Sequence, residues 1–416
     1  MQFIYSIGIY FTGFILKIVA LFNTKIKLGV KGRKHTFHIL KQQVKATDKT
    51  IWFHCASLGE YEQGLPVFEK LRAQHSNYKI VLSFFSPSGF EIRKNSPIAD
   101  VVVYLPLDTK KNATRFIELL QPTLAVFVKY DIWPNYLNTL KEKKTHTILI
   151  SANFRRNQIY FKPYGKLFKK ALFAFNHIFV QYKDSKTLLE SVGYKDVTVS
   201  GDTRYDRVGN QLLKNNTLDF IEKFKNDKLC VVVGSSWPED EALFTSFIND
   251  KLYADVKYII APHNIKTSHI NSFISKTNAK SILYSKMEEQ ILDTYDVFII
   301  DTIGYLSKIY SYADIAYVGG AMGTTGLHNT LEPAVFGVPI LIGPNHEKFP
   351  EAKALINNGG MFSVKHQSEF NETLIKLLEN SDYRKDLGSK NLKFVKKNSG
   401  AVIQILEYLR ILGCFS

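Results

Sequence analysis

The stretch Val318-Gly-Gly-Ala-Met-Gly-Thr-Thr-Gly-Leu-His-Asn-Thr-Leu-Glu-Pro-Ala-Val-Phe-Gly-Val-Pro-Ile-Leu-Ile-Gly-Pro344 decides the fold of this chain. Apolar runs at its start and at residues 338–342 are typical of strands, and Leu331 to Phe336 is predicted to form a short helix capped by Asn329. The loop between them is rich in glycine, so its backbone N–H groups can approach an anion, and Glu332 can accept hydrogen bonds from a ribose. The stretch predicts a strand, loop, helix, strand unit of an α/β fold. On its own, however, the same pattern is more often an ordinary glycine-rich turn.

Length and composition indicate two globular domains. At 416 residues the chain is too long for one ordinary core, which favours two domains of roughly 200 residues each. The formal net charge of +16 favours an anionic partner, such as a nucleic acid, an acidic membrane or a phosphorylated substrate. Because the sequence carries no DNA- or RNA-binding motif, nucleic acid is not expected as a partner. Cys55, Cys230 and Cys414 have neither metal nor disulfide spacing, which fits a reducing, cytosolic environment.

Residues 1–35 are predicted to form a hydrophobic membrane anchor with a basic flank. The run from Phe3 to Phe22 contains one charge, Lys17, and has about the 20 residues that a helix needs to cross a bilayer. Lysines and arginines follow it and no small-residue cleavage site is present, so the segment is expected to stay attached, with the body of the protein in the cytoplasm. Polar residues near one helical face leave a second reading open, in which the helix lies flat in the membrane interface.

Two series of alternating apolar runs and helical patterns follow, at residues 45–205 and 208–390. Such alternation is typical of βαβ units around a parallel sheet, in which ligands lie beyond the carboxyl ends of the strands. The segment from Gly201 to Asp206 is interpreted as the connection between the two domains. After Ser381 the chain is predicted to be helical to about Asn398.

Three loops of the first domain carry polar residues at predicted strand ends. His54-Cys-Ala-Ser-Leu-Gly-Glu-Tyr-Glu62 places Glu60 in the first turn of a helix, where the helix dipole favours an ionised carboxylate that can act as a general base. An acid that only caps its helix explains the same position. The segment from Lys129 to Asn135 contains a Trp-Pro pair suited to a helix start. Arg155 and Arg156 can meet phosphate groups, although a solvated basic loop is an equally good reading.

Further loops of this kind lie in the second domain. Ser235 and Ser236 precede an acidic helix start, where hydroxyl and N–H groups can bind a phosphate, or where a serine can simply cap the helix. Two more strand ends are predicted in Tyr258 to Lys266 and in Asp301 to Gly304, the latter followed by a helix over Tyr305 to Ala313. The sequence has no Asp-x-Asp that would hold a metal over a diphosphate, so neither a metal nor another cofactor is expected.

In their order along the chain, these motifs resemble those of the 3-deoxy-D-manno-octulosonic acid (Kdo) transferases of lipid A biosynthesis, which are GT-B glycosyltransferases. The His-x-Ala-Ser-x-Gly-Glu pattern that carries the catalytic base in that family is matched by His54, Ala56, Ser57, Gly59 and Glu60. The nucleotide-sugar motif of the family is matched by Gly319-Gly320, His328-Asn329, Leu331-Glu332-Pro333, Gly337-Val338-Pro339 and Gly343-Pro344. The resemblance implies a GT-B fold, with two Rossmann-like domains whose parallel sheets face an interdomain cleft. It also implies that residues 391–416 contain a helix that can cross back to the first domain.

These readings together assign roles to individual residues. The resemblance implies that Glu60 is the catalytic base. The candidate acceptor-binding residues are Ser57, Gly59, Lys129, Asp131, Trp133, Asn135 and Arg155. The candidate donor-binding residues are Ser235, Ser236, His263, Lys266, Ile303, Gly304, Gly326, Asn329 and Glu332. The chain departs from the family pattern at Asp131, where a glutamate is usual, and at Pro262, where an arginine is usual and whose charge Lys266 is expected to supply.

The implied reaction is the inverting, metal-independent transfer of Kdo from CMP-Kdo to the lipid A precursor (lipid IVA) in lipopolysaccharide inner-core biosynthesis. The enzyme is expected on the cytoplasmic face of the inner membrane, with the donor, the acceptor and the membrane surface as its partners. Two other readings stay open. A GT-B glycosyltransferase or an epimerase that uses a UDP-sugar would share the loop at 319–344 and the ribose contact of Glu332. A non-catalytic, membrane-associated sugar-binding protein could have kept the same fold.

Overall fold

The computed structural model describes residues 2–250 and 255–415, and the chain forms two compact units. Unit 1 comprises the residues up to Arg207 together with those from Ser399, and unit 2 comprises Val208–Asn398. Each unit is built of helices around one parallel, seven-stranded sheet. The predicted α/β fold with two Rossmann-like domains is therefore confirmed.

The strands of unit 1 are apolar along nearly their whole length because helices cover both faces of the sheet. In chain order they are β1 (Thr50–Cys55), β2 (Lys79–Phe84), β3 (Val101–Tyr104), β4 (Pro122–Val128), β5 (His146–Ala152), β6 (His177–Val180) and β7 (Val197–Val199). In space they follow the order β3-β2-β1-β4-β5-β6-β7, and each neighbouring pair is parallel. Successive residues point to opposite faces, so Trp52 belongs to one buried apolar cluster and Phe53 to the other.

The helices of the first part of the chain are α1 (Gln2–Val19), α2 (Thr24–Gln43), α3 (Leu58–Gln74), α4 (Pro87–Arg93), α5 (Lys110–Leu120), α6 (Pro134–Glu142), α7 (Lys166–Leu172), α8 (Lys183–Ser191) and α9 (Thr203–Gly209). The apolar helix predicted at the N-terminus ends at Val19. The basic segment after it forms a helix of its own, α2, whose N-cap Asn23 accepts a hydrogen bond from the N–H of Ile26. In the described part of the chain, no helix is both long enough and apolar enough to cross a membrane.

Unit 2 repeats the architecture of unit 1 with shorter strands. They are β8 (Leu229–Ser236), β9 (Val256–Pro262), β10 (Ser281–Leu283), β11 (Val297–Ile299), β12 (Ile315–Val318), β13 (Ile340–Ile342) and β14 (Met361–Ser363). Their spatial order is β10-β11-β9-β8-β12-β13-β14, again parallel throughout. The helices are α10 (Asp219–Lys225), α11 (Pro238–Asn249), α12 (Thr267–Lys276), α13 (Leu306–Ile309), α14 (Leu331–Ala334), α15 (Pro350–Asn357), α16 (Gln367–Glu379) and α17 (Ser381–Asn398).

The C-terminal helix α18 (Ala401–Ile411) belongs to unit 1. Its residues Val402, Ile405 and Leu409 are buried in the apolar cluster that contains Phe53. At its start, the N–H groups of Gly400 and Ala401 donate to the carboxylate of Asp206 at 2.8 and 3.2 Å. This carboxylate therefore satisfies backbone donors that the first turn of a helix leaves without intrahelical partners.

The order of strands in each sheet indicates where a ligand can bind. In unit 1 the chain reverses its direction of winding between the neighbours β1 and β4, and in unit 2 between β8 and β12. In parallel α/β sheets, the crevice beyond the carboxyl ends of two such strands is the usual ligand site. The sequence places the Ser57–Glu60 and Lys129–Trp133 segments at this point of unit 1, and the Ser235–Trp237 and Gly319–Glu332 segments at this point of unit 2.

Three local predictions differ from the structure. The helix predicted over Leu331 to Phe336 ends at Ala334, because the chain tightens into i→i+3 hydrogen bonds, including one of 3.1 Å from the N–H of Gly337 to the carbonyl of Ala334. Its N-cap is Thr330, although the side chain of Asn329 still accepts from the N–H of Leu331 at 3.2 Å. The helix predicted over Tyr305 to Ala313 is a short α-helix, α13, followed by a 3₁₀ turn at 310–312. The third difference concerns two serines and is described with the site.

Candidate active site

Glu60 lies in the first turn of α3, directly beyond the carboxyl end of β1. Its carboxylate accepts hydrogen bonds from the backbone N–H of Ser57 at 2.7 Å and from the hydroxyl of Ser57 at 3.0 Å. Together these residues form a capping box, which satisfies orphan donors at the start of the helix. The side chain is only 7% exposed. Glu60 therefore does cap its helix, and it is held in one orientation while doing so.

The pKa of Glu60 is shifted in the direction opposite to the sequence-based expectation. The helix dipole was expected to favour the ionised form, but burial and the nearby charge of Asp131 raise the pKa of Glu60 above its usual value. The hydrogen bonds from Ser57 and the charge of Lys129 offset this only in part. A carboxylate whose pKa is moved upward is a stronger general base than an ordinary glutamate.

The loop after β4 brings Asp131 and Trp133 next to His54 at the end of β1. The indole N–H of Trp133 donates to His54 Nε2 at 3.0 Å, and His54 Nδ1 lies 2.8 Å from the hydroxyl oxygen of Ser83. Because an indole N–H can only donate, Nε2 accepts and the ring proton is assigned to Nδ1. His54 is fully buried, so these hydrogen bonds fix the ring beneath the site. Sequence reasoning used His54 only as a motif match and did not predict its role as the partner of Trp133.

Asp131 is a buried carboxylate with an unused acceptor. Its Oδ2 lies 3.3 Å from His54 Nε2, but that nitrogen already accepts from Trp133 and has no proton to give. Among the described residues, Oδ2 has no hydrogen-bond donor. A buried acceptor of this kind is costly unless something donates to it, so the hydroxyl of a bound ligand is a natural partner.

The other candidate acceptor-binding residues are placed differently. Lys129 is half-buried, and its positive φ of 70° turns the chain sharply after β4. Gly59 is exposed, and a Cβ added there would come no closer to another group than 4.0 Å from the Ser57 hydroxyl, so the surface beside Glu60 is open. Arg155 is exposed on the loop after β5, where its N–H donates to Gln158 Oε1 at 2.9 Å. Acceptor contacts of these three residues stay predictions.

Asn135 has a structural role that the sequence did not reveal. Its side-chain amide donates to the carbonyl of Asp108 at 2.5 Å, and its backbone N–H donates to the Asp108 carboxylate at 3.1 Å. The residue is 2% exposed. The structure thus engages the amide of Asn135 in holding the start of α6 against the loop after β3, and an acceptor contact of this amide stays a prediction.

In unit 2 the glycine-rich loop is fixed by a buried carboxylate. Asp240 accepts from the hydroxyl of Tyr317 at 2.8 Å, from the N–H of Gly320 at 2.9 Å and from the N–H of Trp237 at 2.9 Å. The loop after β8 and the loop after β12 are therefore tied to the same side chain. A Cβ at Gly319 would lie 2.5 Å from the carbonyl of Ser235, so these two loops approach as closely as glycine permits.

An aromatic stack lies beside this loop. The rings of Trp237 and His263 are stacked with centroids 4.7 Å apart, and His263 and His328 are 4.5 Å apart. The Trp237 indole N–H donates to His328 Nε2 at 3.3 Å. Burial, with the neighbouring His263, lowers the pKa of His328 to about 4, so this imidazole is neutral at pH 7. His263 is a predicted donor-binding residue and His328 is part of the matched nucleotide-sugar motif, whereas the sequence did not point to Trp237.

The third local difference between prediction and structure is the helix start predicted directly after Ser235 and Ser236. Both serines belong to β8, and the N-cap of α11 is Trp237 rather than a serine. The hydroxyl of Ser236 is buried and donates to Glu241 Oε1 at 2.8 Å, and Glu241 also pairs with His269. Its hydroxyl is therefore engaged within the protein, while Ser235, half-buried with a φ of 53°, turns the chain at the strand end.

The remaining candidate donor-binding residues lie on the carboxyl-end loops of unit 2. Asn329 donates from its side-chain amide to Glu332 Oε1 at 3.1 Å, which orients the carboxylate at the start of α14. Gly326 has a φ of 103° and its N–H donates to the carbonyl of Gly320, which closes the glycine-rich loop. Lys266 is exposed at the N-cap of α12. Ile303 and Gly304 lie at the surface in the loop after β11. Ile303 is 85% exposed, and a Cβ added at Gly304 would have no other group within 4 Å.

The described residues contain no group of three or more His, Cys, Asp or Glu side chains that could hold a metal ion. The candidate residues of unit 1 are the buried carboxylate of Glu60 and the neighbouring Asp131, and those of unit 2 are the glycine-rich loop and the aromatic stack.

Comparison with known proteins shows which family this chain resembles. The family described as 3-deoxy-D-manno-octulosonic-acid transferase (kdotransferase) matches residues 31–207, the part of the chain that carries Glu60 and Asp131. A 3-deoxy-D-manno-octulosonic acid transferase from Aquifex aeolicus is 29% identical over 346 residues, which cover 81% of this chain and 88% of the relative. The enzyme of the same name from Haemophilus influenzae is 26% identical over 372 residues, with 86% of each chain covered. The chain is therefore similar to Kdo transferases over most of its length.

The fold of this chain is shared with GT-B proteins. A UDP-GlcNAc 2-epimerase from Neisseria meningitidis has a TM-score of 0.62 at 16% identity, with 87% of this chain and 99% of the epimerase covered. At such low identity the likeness concerns the fold alone. It confirms the GT-B architecture expected of a Kdo transferase, and the choice between Kdo and UDP-sugar chemistry rests on the site and on the family.

Proposed function

We propose that this protein is an inverting glycosyltransferase that moves Kdo from CMP-Kdo to a sugar hydroxyl of the lipid A precursor in lipopolysaccharide biosynthesis. The observation that carries the proposal is the buried, capped Glu60 at the winding reversal of the first sheet, within the segment that matches the Kdo transferase family. A buried carboxylate whose pKa is raised by burial and by the charge of a second carboxylate, Asp131, is typical of a functional site.

Glu60 supplies the base. Its carboxylate takes the proton of the acceptor hydroxyl, whose oxygen then forms the new bond to the anomeric carbon of Kdo while the bond from that carbon to the phosphate oxygen of CMP breaks. The proton ends on Glu60 and the electron pair of the broken bond leaves with CMP. The unused Oδ2 of Asp131 accepts from a second hydroxyl of the acceptor and so orients the attacking sugar.

Unit 2 holds the leaving group. The glycine-rich loop from Gly319 to Gly326 offers backbone N–H groups to the single phosphate of CMP, and Glu332, oriented by Asn329, accepts from the ribose hydroxyls. The stack of Trp237, His263 and His328 offers an aromatic surface to the donor. Lys266 adds positive charge near the phosphate in place of the arginine that is usual at Pro262.

We also place the protein on the cytoplasmic face of the inner membrane as part of this proposal. Helix α1 leaves its large apolar side chains in solvent, from Phe3 at 75% exposure to Phe22, just beyond its end, at 87%. Basic residues of α2, such as Lys25, Lys27 and Lys31, follow directly. An apolar helix with a basic neighbour is typical of a segment that lies in the membrane interface beside anionic headgroups. Such a position brings a lipid acceptor to unit 1.

The proposal is tested by incubating the detergent-solubilised protein with tetra-acylated lipid A precursor and either CMP-Kdo or UDP-GlcNAc. We expect the lipid to gain the mass of one or more Kdo groups with CMP-Kdo only, and CMP but not UDP to raise the melting temperature. A protein that UDP stabilises and CMP does not would be a UDP-sugar enzyme. Stabilisation by CMP without any product would leave a sugar-nucleotide binding protein and contradict the proposed transfer.

A further inference from the structure

A groove on unit 1, lined mainly by residues of α1, α2 and the Pro106–Asn112 segment, is assigned no role by the reaction described above. Its volume is about 470 Å³, which is in the range of small-ligand sites. We call it the α1–α2 groove. One wall is apolar and includes Ile9, Phe14 and Leu107, and the lining also carries cationic side chains.

Specific contacts fix the elements that line the groove. Arg33 on α2 donates from Nε to the carbonyl of Leu105 at 3.1 Å and also donates to the carbonyl of Phe85, and it lies over the Phe85 ring at 4.3 Å. Arg33 therefore anchors α2 to the ends of two strands. On the other side, Gly13 of α1 lies so close to Leu107 that a Cβ would be 2.8 Å from its side chain. The groove is a built feature of unit 1.

Three cations remain available to a ligand. Lys17, Lys34 and Lys111 all line the groove and are exposed, and its described lining contains no carboxylate. Three ammonium groups beside an apolar wall match a ligand that joins a phosphate to an acyl chain. A purely apolar occupant would leave these charges without a partner.

The groove is connected to the candidate active site through Asp108. Asp108 lies in the loop that forms part of the groove, and its carboxylate accepts from the backbone N–H groups of Asn135 and Tyr136 at 3.1 and 3.0 Å. These residues begin α6, directly after Trp133, which donates to His54. A ligand in the groove is thus bound next to the same loop that positions Asp131 and Trp133.

We infer that the α1–α2 groove binds a phosphorylated, acylated portion of the lipid acceptor, with an acyl chain on the apolar wall and a phosphate at Lys17, Lys34 and Lys111. This assignment rests on the proposed function, because it names the part of the acceptor that unit 1 recognises. A membrane phospholipid offers the same chemistry, namely a phosphate joined to acyl chains, and the experiment separates these two sources.

The test compares two triple variants that remove the same charge. Lys17→Ala/Lys34→Ala/Lys111→Ala removes the three exposed lysines of the groove, and Lys41→Ala/Lys70→Ala/Lys170→Ala removes three exposed lysines of α2, α3 and α7 that do not line it. All six positions are helical, so alanine is well tolerated there. Far-UV circular dichroism and a midpoint of urea unfolding at the wild-type values show that each variant is folded.

Two measurements decide the result. For transfer in detergent, we expect the groove variant to raise the KM for the tetra-acylated, phosphorylated acceptor by about tenfold with kcat unchanged, and the control variant to leave both constants at the wild-type values. In calorimetric titration, wild type should bind dihexanoyl phosphatidic acid, the acceptor should compete with it, and the groove variant should lose this binding. Inorganic phosphate alone and dihexanoyl glycerol alone should bind far more weakly.

Several outcomes would overturn the inference. An equal rise of KM in both triple variants would mean that only the overall charge matters, and no rise in either would mean that the acceptor does not use the groove. Loss of phosphatidic acid binding with an unchanged acceptor KM would assign the groove to membrane phospholipid instead. Because the titration needs no turnover, a wild-type protein that binds the lipid probe but transfers no Kdo would contradict the proposed function and leave the groove a lipid site.

Discussion

The hydroxyl of Tyr5 donates a hydrogen bond of 2.6 Å to Asp108 Oδ2. This contact joins helix α1 to the loop after β3, and the same oxygen accepts from the N–H of Asn135 at the start of α6. The apolar N-terminal helix is therefore linked through one buried carboxylate to the segment that carries Trp133.

Tyr5→Phe is expected to loosen this link. The buried Asp108 carboxylate would lose one donor, which should lower the free energy of unfolding by about 1 kcal/mol. We also expect slower transfer to a vesicle-bound acceptor. Chemical denaturation checks the first effect, with Tyr164→Phe as a control because that side chain is 71% exposed. Equal stability of the two variants would mean that the Tyr5 contact contributes nothing.

Asp131→Asn should move the acid limb of the pH–rate profile. Transfer requires ionised Glu60, so kcat/KM falls as the pH drops through the pKa of Glu60. The charge of Asp131 helps to raise that pKa, so its removal should lower the pKa and shift the acid limb to lower pH. The profile of Glu118→Gln, which alters an exposed carboxylate of α5, should match wild type. An acid limb that stays in place in Asp131→Asn would show that the two carboxylates do not interact.

Gly320→Ala should destroy the donor loop, whereas Gly193→Ala should only strain the chain. Both glycines have positive φ, 96° and 89°, and this strain costs about 1 kcal/mol or more for alanine. At Gly320 the new Cβ would in addition lie 2.1 Å from the carbonyl oxygen of Gly326, while at Gly193 nothing lies within 4 Å. We expect stabilisation by CMP to disappear in Gly320→Ala and to persist in Gly193→Ala, as measured by thermal melting. Intact CMP stabilisation in Gly320→Ala would remove this loop from the donor site.

His328 should make the protein less stable at acid pH. Its pKa in the folded chain, about 4, lies below the usual value of 6.5, so the unfolded chain takes up the proton first as the pH falls. The stability that the neutral ring contributes is fully present above about pH 6.5 and is lost as the pH falls towards about 4. His328→Gln should therefore lose less stability than wild type between pH 7 and 4.5 in urea unfolding. The same pH dependence in both proteins would contradict a neutral, buried His328.

The sequence predicts the fold well because its signals are local. Buried parallel strands are short apolar runs, and the runs that contain Ile51, Val126 and Ile259 all became strands. The helix predicted from Ser381 to Asn398 has those bounds in the structure. The short helix after Asn329 was predicted too long because its end depends on the tight hydrogen bonds around Gly337.

The site was less predictable because its contacts join residues that are far apart in the chain. Nothing near Trp133 in the sequence indicates that it donates to His54, 79 residues away. The same holds for the stack of Trp237, His263 and His328. The hydroxyl of Ser236, which is predicted to bind a phosphate, donates to Glu241 one helical turn into α11, and the sequence does not indicate this hydrogen bond. The direction of the Glu60 pKa shift also depends on burial and on Asp131, which only the fold reveals.

The central claim, that Glu60 is the base, is tested most directly by measuring kcat for Kdo transfer with Glu60→Gln. Glutamine keeps an oxygen that can accept from the N–H and the hydroxyl of Ser57, so the capping box and the fold should survive where alanine would remove both contacts. We expect kcat to fall by about a hundredfold or more, with CMP stabilisation and acceptor binding unchanged. A Glu60→Gln enzyme that transfers Kdo at the wild-type rate would contradict the account, because Glu60 would then be a helix cap and nothing more.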